Sequence, residues 1–102
     1  MQTLSSCKSG SRVIAIEIHE RLDLSVHSTF VEACELAALP GPRAIEVNLG
    51  KTHYVQDSGL AMLLMLRSCA GRLRNRIRLI NCSPEIRRRL EAHSMDSHFH
   101  LA

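Results

Sequence analysis

The residues best placed to do chemistry in this chain lie in the run Tyr54-Val55-Gln56-Asp57-Ser58-Gly59-Leu60. It connects the loop after an apolar strand to the start of a long apolar helix. Free backbone N–H groups and the helix dipole favour negative charge at such a point. Asp57 can accept hydrogen bonds from those groups and lock the helix start, contributing about 0.5–2 kcal/mol. Two uses of that carboxylate are open: a simple cap, or a fixed charge inside a functional surface. Farther along the helix, Ser58, Met62, Met65 and Cys69 fall on one flank at about 100° per residue, displaced from the stripe that faces the core. That flank suits either an adaptable docking surface or the edge of packing on a neighbouring helix.

Catalytic constellations are hard to assemble elsewhere. The chain has no nucleophile elbow, no phosphate-binding glycine loop and no H-E-x-x-H. His98 and His100 would share one strand face and could meet a metal with His93, but these residues end the chain, where exposed polar side chains are common. Ser58, His27 and Asp57 make a hydrolytic triad only on paper, since Ser and Asp at a helix start ordinarily serve as caps. The expectation is a non-enzymatic protein with no cofactor and no metal.

Composition narrows the class further. A chain of 102 residues fits one domain spanning 1–102, with a core of about 12–101. With 45% hydrophobic and 23% charged residues it reads as globular, and with only 3% aromatic residues its core must be aliphatic. The formal charge of +3 is modest. Glu85 interrupts the arginines between Arg72 and Arg89, Glu91 follows them, and no aromatic side chains accompany them for base stacking, so no nucleic acid is expected. Cys7, Cys34, Cys69 and Cys82 form no C-x-x-C pair, and no signal peptide opens the chain, which favours a cytoplasmic location. The longest apolar run, Leu60 to Leu66, is far short of the roughly 20 residues a bilayer span needs, so no membrane insertion is expected.

These residues must be positioned by alternating strands and helices. Ser5 to Ser11 reads as a turn after a short strand near Thr3. Ile14, Ile16 and Ile18 alternate with Ala15 and Glu17 in a strand over 12–19, and Leu22 and Asp23 follow in a loop. Ser25 is a plausible cap for a helix carrying Val26, Phe30, Ala33 and Ala37 to about Leu39, stopped by Pro40-Gly41-Pro42. A strand over 44–49 precedes a loop over 50–56. A helix over 58–73 then presents Gly59, Leu63, Leu66, Ala70 and Leu73 to the core. A strand over 76–81, a helix opened by Ser83-Pro84-Glu85 and running to about His93, and a short strand over 98–101 complete the order. This pattern predicts an α/β fold: a mixed four- to five-stranded sheet with helices packed on one face.

With these elements in place, the chain resembles a STAS domain of the bacterial anti-sigma factor antagonists over about Arg12 to Leu101. The family carries a motif like D-S-S-G-L before an apolar helix, where this chain reads Gln56-Asp57-Ser58-Gly59-Leu60. Leu22-Asp23 matches the L-D after the second strand, and Asn81-Cys82-Ser83-Pro84-Glu85-Ile86-Arg87 matches the join to the following helix. The resemblance implies docking onto an anti-sigma factor or a related serine kinase or phosphatase, with a serine of the motif phosphorylated to break the complex. An ungapped alignment puts Asp57 at that serine, so switching by phosphate is expected to be lost; Ser58 is the less favoured acceptor. Glu20 replaces a glycine common before the L-D. Asp23, Gln56, Asp57, Ser58, Met62 and Met65 are the expected partner-binding residues of a monomer or weak dimer. An accessory subunit of a larger complex, such as a lipid-transport ATPase, is the alternative.

Overall fold

Ile14, Ile16 and Ile18 are each at most 1% exposed, whereas Ala15 between them faces solvent. The same alternation recurs at Ile45, Val47 and Leu49 and at Ile77 and Leu79, so each strand buries one face. The structure, a computed structural model, describes residues 6–9, 13–38, 44–70 and 77–101. Strands β1 (Ser6–Ser9), β2 (Val13–Leu22), β3 (Ala44–Val55), β4 (Ile77–Ile80) and β5 (His100–Leu101) form one sheet in chain order. β1 runs antiparallel to β2, and the other neighbours are parallel. Helices α1 (His27–Ala37), α2 (Asp57–Ala70) and α3 (Pro84–Ala92) lie in the crossovers. A strand order that advances steadily, with crossovers of one hand, stacks the helices on one face. Leu63, Leu66, Phe30 and Leu90 are fully buried beneath them. The other face carries polar pairs, including Arg78 with Glu46 at 3.3 Å and Glu17 with His19 at 2.6 Å.

Several boundaries differ from the sequence expectation, each for a local reason. β1 lies inside the stretch read as a turn, because a polar edge strand shows no apolar alternation; Thr3 is outside the described residues. The cap at Ser25 is corrected: Asp23 accepts from the Ser25 backbone at 2.9 Å and opens a single 3-10 turn, Leu24–Val26, ahead of α1. Ser83 caps α3 as expected, accepting from the Ile86 N–H at 3.2 Å. Leu39, Leu73 and the Pro40-Gly41-Pro42 stop are outside the described residues.

The largest difference is β3, which continues through the expected loop to Val55. Its buried positions run Ile45, Val47, Leu49 and then Thr52 and Val55, so the spacing changes from two to three. Opposite β2, the register moves from Glu17↔Asn48 to His19↔Lys51, and again from Glu20↔Thr52 to Arg21↔Tyr54. At each step β3 holds one more residue than its partner, the signature of a bulge. Thr52 is buried between the two and donates its hydroxyl to the Ile18 carbonyl at 3.0 Å. Glu20 sits at the second with φ 62°, a left-handed conformation that favours glycine.

Gly59 is where α2 meets the sheet. A Cβ there would lie 2.0 Å from the Leu22 carbonyl oxygen, a backbone atom that cannot step aside. Gly59→Ala is therefore expected to cost about 2–4 kcal/mol, read as a lowered midpoint in urea unfolding. Glu20→Gly is expected to act in the opposite direction. Relief of the left-handed strain outweighs the added freedom of the unfolded chain and raises stability by about 0.5–1 kcal/mol in the same assay.

Candidate functional site

Parallel neighbours β2 and β3 end side by side, Leu22 opposite Val55. The Gln56 N–H donates to the Leu22 carbonyl at 3.0 Å, and the Gln56 carbonyl accepts the Leu60 N–H at 3.1 Å. Gln56 is thus the residue at which strand pairing hands over to helix. The capping place expected for Asp57 belongs to Gln56, and Asp57 is the first residue of α2 itself. A carboxylate there is favoured by the positive end of the helix dipole.

Asp57 projects into solvent, with 88% of its side chain exposed. Its Oδ1 accepts from Arg89 Nη2 at 3.2 Å, and Arg89 Nε donates to the Val55 carbonyl. One guanidinium on α3 therefore holds the last residue of β3 and the first residue of α2 together. Tyr54, Val55, Gln56, Asp57, Ser58 and Arg89 line an open depression of about 480 Å³. Tyr54 of this lining and Leu24 of the turn after β2 are the two most exposed large apolar side chains among the described residues, at 61% and 63%. The Arg21 guanidinium lies 5.9 Å from the Tyr54 ring centroid, a contact that steadies the ring while leaving it accessible. Crevices at the carboxyl ends of parallel strands are habitual ligand sites.

Four of the expected site residues gather here. Gln56 and Asp57 are exposed, Ser58 is half-buried on the same turn, and Asp23 follows Leu22 at the adjacent strand end. Asp23 already has a local task. Its carboxylate accepts from the Ser25 hydroxyl at 2.5 Å and from the Ser25 N–H, and these bonds, the hydroxyl first, hold its pKa below the ordinary value; Arg21 adds to the effect. The methionines separate from the group. Met62 is buried in the core and Met65 is half-buried against it, so the expected apolar contact from Met62 is corrected to interior packing. The flank reading failed because α2 is covered over more than one stripe, with Leu60, Met62, Leu63 and Leu66 all buried.

Arg89 and Leu24 were given no site role by the sequence, and Tyr54 stood in the motif run without a binding role of its own. Arg89 could have been found by helical spacing. It stands three residues after buried Ile86 and one before buried Leu90, whereas Arg87 and Arg88 are exposed. Tyr54 was hidden by the bulges, and Leu24 by its place in a 3-10 turn. Among the described residues no three His, Cys, Asp or Glu side chains are grouped so as to hold a metal. None of the described helices is long and apolar enough to cross a membrane.

A family profile described as "Mlab, STAS domain" matches residues 7–101. A STAS-domain containing protein of Pseudomonas aeruginosa (strain UCBPP-PA14) is 37% identical over 89 residues, 87% of each chain. Among solved structures, the anti-sigma factor antagonist SpoIIAA in its unphosphorylated form superposes with TM-score 0.79 at 16% identity, over 97% of this chain and 88% of that one. RsbS of Moorella thermoacetica gives TM-score 0.79 at 16% identity, over 98% and 86%. An anti-sigma factor antagonist domain protein from Planctomyces limnophilus gives 0.77 at 14%, over 95% and 87%.

Arg89→Ala is expected to cost about 1–2 kcal/mol, chiefly through the carbonyl bond, because an exposed ion pair contributes under about 1 kcal/mol. A double-mutant cycle with Asp57→Ala measures the pair term separately. Asp23→Ala is expected to cost about 0.5–2 kcal/mol at neutral pH. A folded-state pKa below the unfolded value gives stability that is present above the ordinary carboxylate range and is lost as pH falls through the folded value. The gap between Asp23→Ala and the parent should therefore narrow in acid, checked by denaturant titration across pH.

Proposed function

This chain belongs to the STAS-domain family, and we propose that it works as a non-enzymatic anti-sigma factor antagonist. It docks onto an anti-sigma factor, or a related serine kinase or phosphatase signalling protein, in the cytoplasm. The docking surface is the mouth of α2: Gln56, Asp57 and Ser58, with Asp23 supporting the adjacent turn and Tyr54 and Leu24 supplying the apolar contact. Met65, about two turns farther along α2, extends that surface along the helix, and Met62 packs into the core.

The observation that carries this reading is the exposed Asp57 at the helix start, in a depression that the uncovered Tyr54 ring also lines. An exposed aromatic ring with polar side chains around it is the composition of a protein interface. Position 57 holds a carboxylate, which a serine kinase cannot modify, and Arg89 lies against it at 3.2 Å. Docking is therefore constitutive. A phosphate would bring about −1.5 to −2 charge to this spot in a switchable relative, more than one guanidinium neutralises. A second reading is favoured by the same fixed pair: a subunit held permanently in a larger assembly, such as a lipid-transport ATPase, has no use for a phosphate switch.

Incubation with an anti-sigma factor kinase and ATP, followed by phosphopeptide mass spectrometry, is expected to leave Ser58 unmodified. Phosphate on Ser58 would overturn the constitutive reading. In calorimetric titration against the same anti-sigma factor, Tyr54→Ala and Asp57→Arg are each expected to weaken binding about tenfold or more, equivalent to about 1.4 kcal/mol. Unchanged affinity in both variants would remove the mouth of α2 as the docking site. Stoichiometric co-purification with an ATPase subunit, with no exchange, would select the second reading.

A further inference from the structure

The second half of β3 leads to the mouth of α2, and simple alternation does not set its placement. Asn48 stands opposite Glu17 and Lys51 opposite His19, so Ile18 alone spans the interval that Leu49 and Gly50 share. Thr52 then stands opposite Glu20 and Tyr54 opposite Arg21, which leaves His53 as a second extra residue. An extra residue can sit at any rung of a ladder, and a move by one turns each following side chain to the other face. Some contact must hold these two in place.

Thr52 is the one buried polar side chain among the described residues, at 4% exposure. Its hydroxyl donates at 3.0 Å to the carbonyl of Ile18, the residue that spans the first bulge. The bond is specific to the register observed. Without the first bulge, Thr52 would stand opposite Arg21, one rung and about 3.3 Å farther from Ile18, beyond hydrogen-bond reach. A buried hydroxyl and a buried carbonyl would then lose each other as partners, which penalises the slipped register.

We propose that Thr52 is the positioning residue of the docking surface: its hydroxyl locks the bulged register, and that register sets Tyr54 beside Arg21 and brings Val55 level with Leu22. The role rests on the reading of the α2 mouth as the docking surface. Thr52 is buried and touches no partner; it acts through the strand. The Arg21 guanidinium reaches the Tyr54 ring, 5.9 Å from its centroid, because the two residues share a rung. The Gln56 N–H reaches the Leu22 carbonyl at 3.0 Å because Val55 ends level with Leu22. A slip of one residue would place His53 or Lys51 where Tyr54 now stands, and the apolar contact of the surface would be replaced by a basic one.

The test compares Thr52→Val, which keeps the shape and removes the donor, with Thr52→Ser, which keeps the donor. The chain has one tyrosine and no tryptophan, so the tyrosine band of near-ultraviolet circular dichroism reports Tyr54 alone. Thr52→Val is expected to keep its far-ultraviolet spectrum and lose about half or more of that band, and Thr52→Ser to retain it. In calorimetric titration with an anti-sigma factor kinase, Thr52→Val is expected to bind about fivefold more weakly and Thr52→Ser within about twofold of the parent. An unchanged Tyr54 band in folded Thr52→Val would overturn the positioning role. A lost band with unchanged affinity would support that role and remove Tyr54 from the docking surface, so the two readings fail separately. Hydrogen exchange on the unmodified chain decides the matter if Thr52→Val does not fold. The Gln56 amide is expected to exchange within about tenfold of the Val47 amide, whereas exchange about a hundredfold faster would show that the strand ends are not held and overturn the role.

Discussion

The start of α2 lies so close to the end of β2 that no side chain fits between them. At Gly59 a single added carbon would fall 2.0 Å from the Leu22 carbonyl oxygen. That oxygen is also the acceptor for the Gln56 N–H, so the strand end, the strand-to-helix junction and the first helical turn share one point of contact. Burial of Leu60, Leu63 and Leu66 seats the helix, each side chain contributing about 1.5–3 kcal/mol. The glycine permits the approach, and the leucines give it a reason. Asp57, two residues earlier, is placed at the rim as a consequence.

Arg89 completes the junction from a third direction. It lies on α3, far along the chain, and reaches both sides of the turn that Gln56 makes. The net value of its exposed ion pair is small, but its geometry is specific: Val55 and Asp57 are held at a fixed separation. A docking surface gains from such rigidity, because each loop that must be ordered on binding subtracts from affinity. The acidic residue is thus paired within its own chain while its other faces remain open to a partner.

Much of this fold was legible in the sequence because its signals are local. Isoleucines at alternate positions announced β2, Ser83-Pro84 announced α3, and the leucines of α2 announced a buried helix. The second half of β3 was not legible, since two extra residues change its burial period from two to three and imitate a polar loop. Met62 was misplaced for a related reason. Helical spacing assigns residues to faces, but how wide a face is covered depends on neighbours that are distant in sequence. Asp23, Gln56, Asp57 and Ser58 stand in short local motifs, whereas the approach of Arg89 to them depends on which segments the topology brings together. The left-handed backbone at Glu20 is one that suits glycine, and this chain bears the strain with a glutamate in its place.

The two margins of the sheet have a consequence for how this protein meets others. On one side the last strand is only two residues long, and on the other a four-residue strand composed of Ser, Cys and Lys runs against the grain of the rest. Among the described residues, neither offers a long apolar ribbon of backbone on which a foreign strand could template itself. The molecule is therefore guarded against fibre-like stacking and against partners that recognise by strand addition.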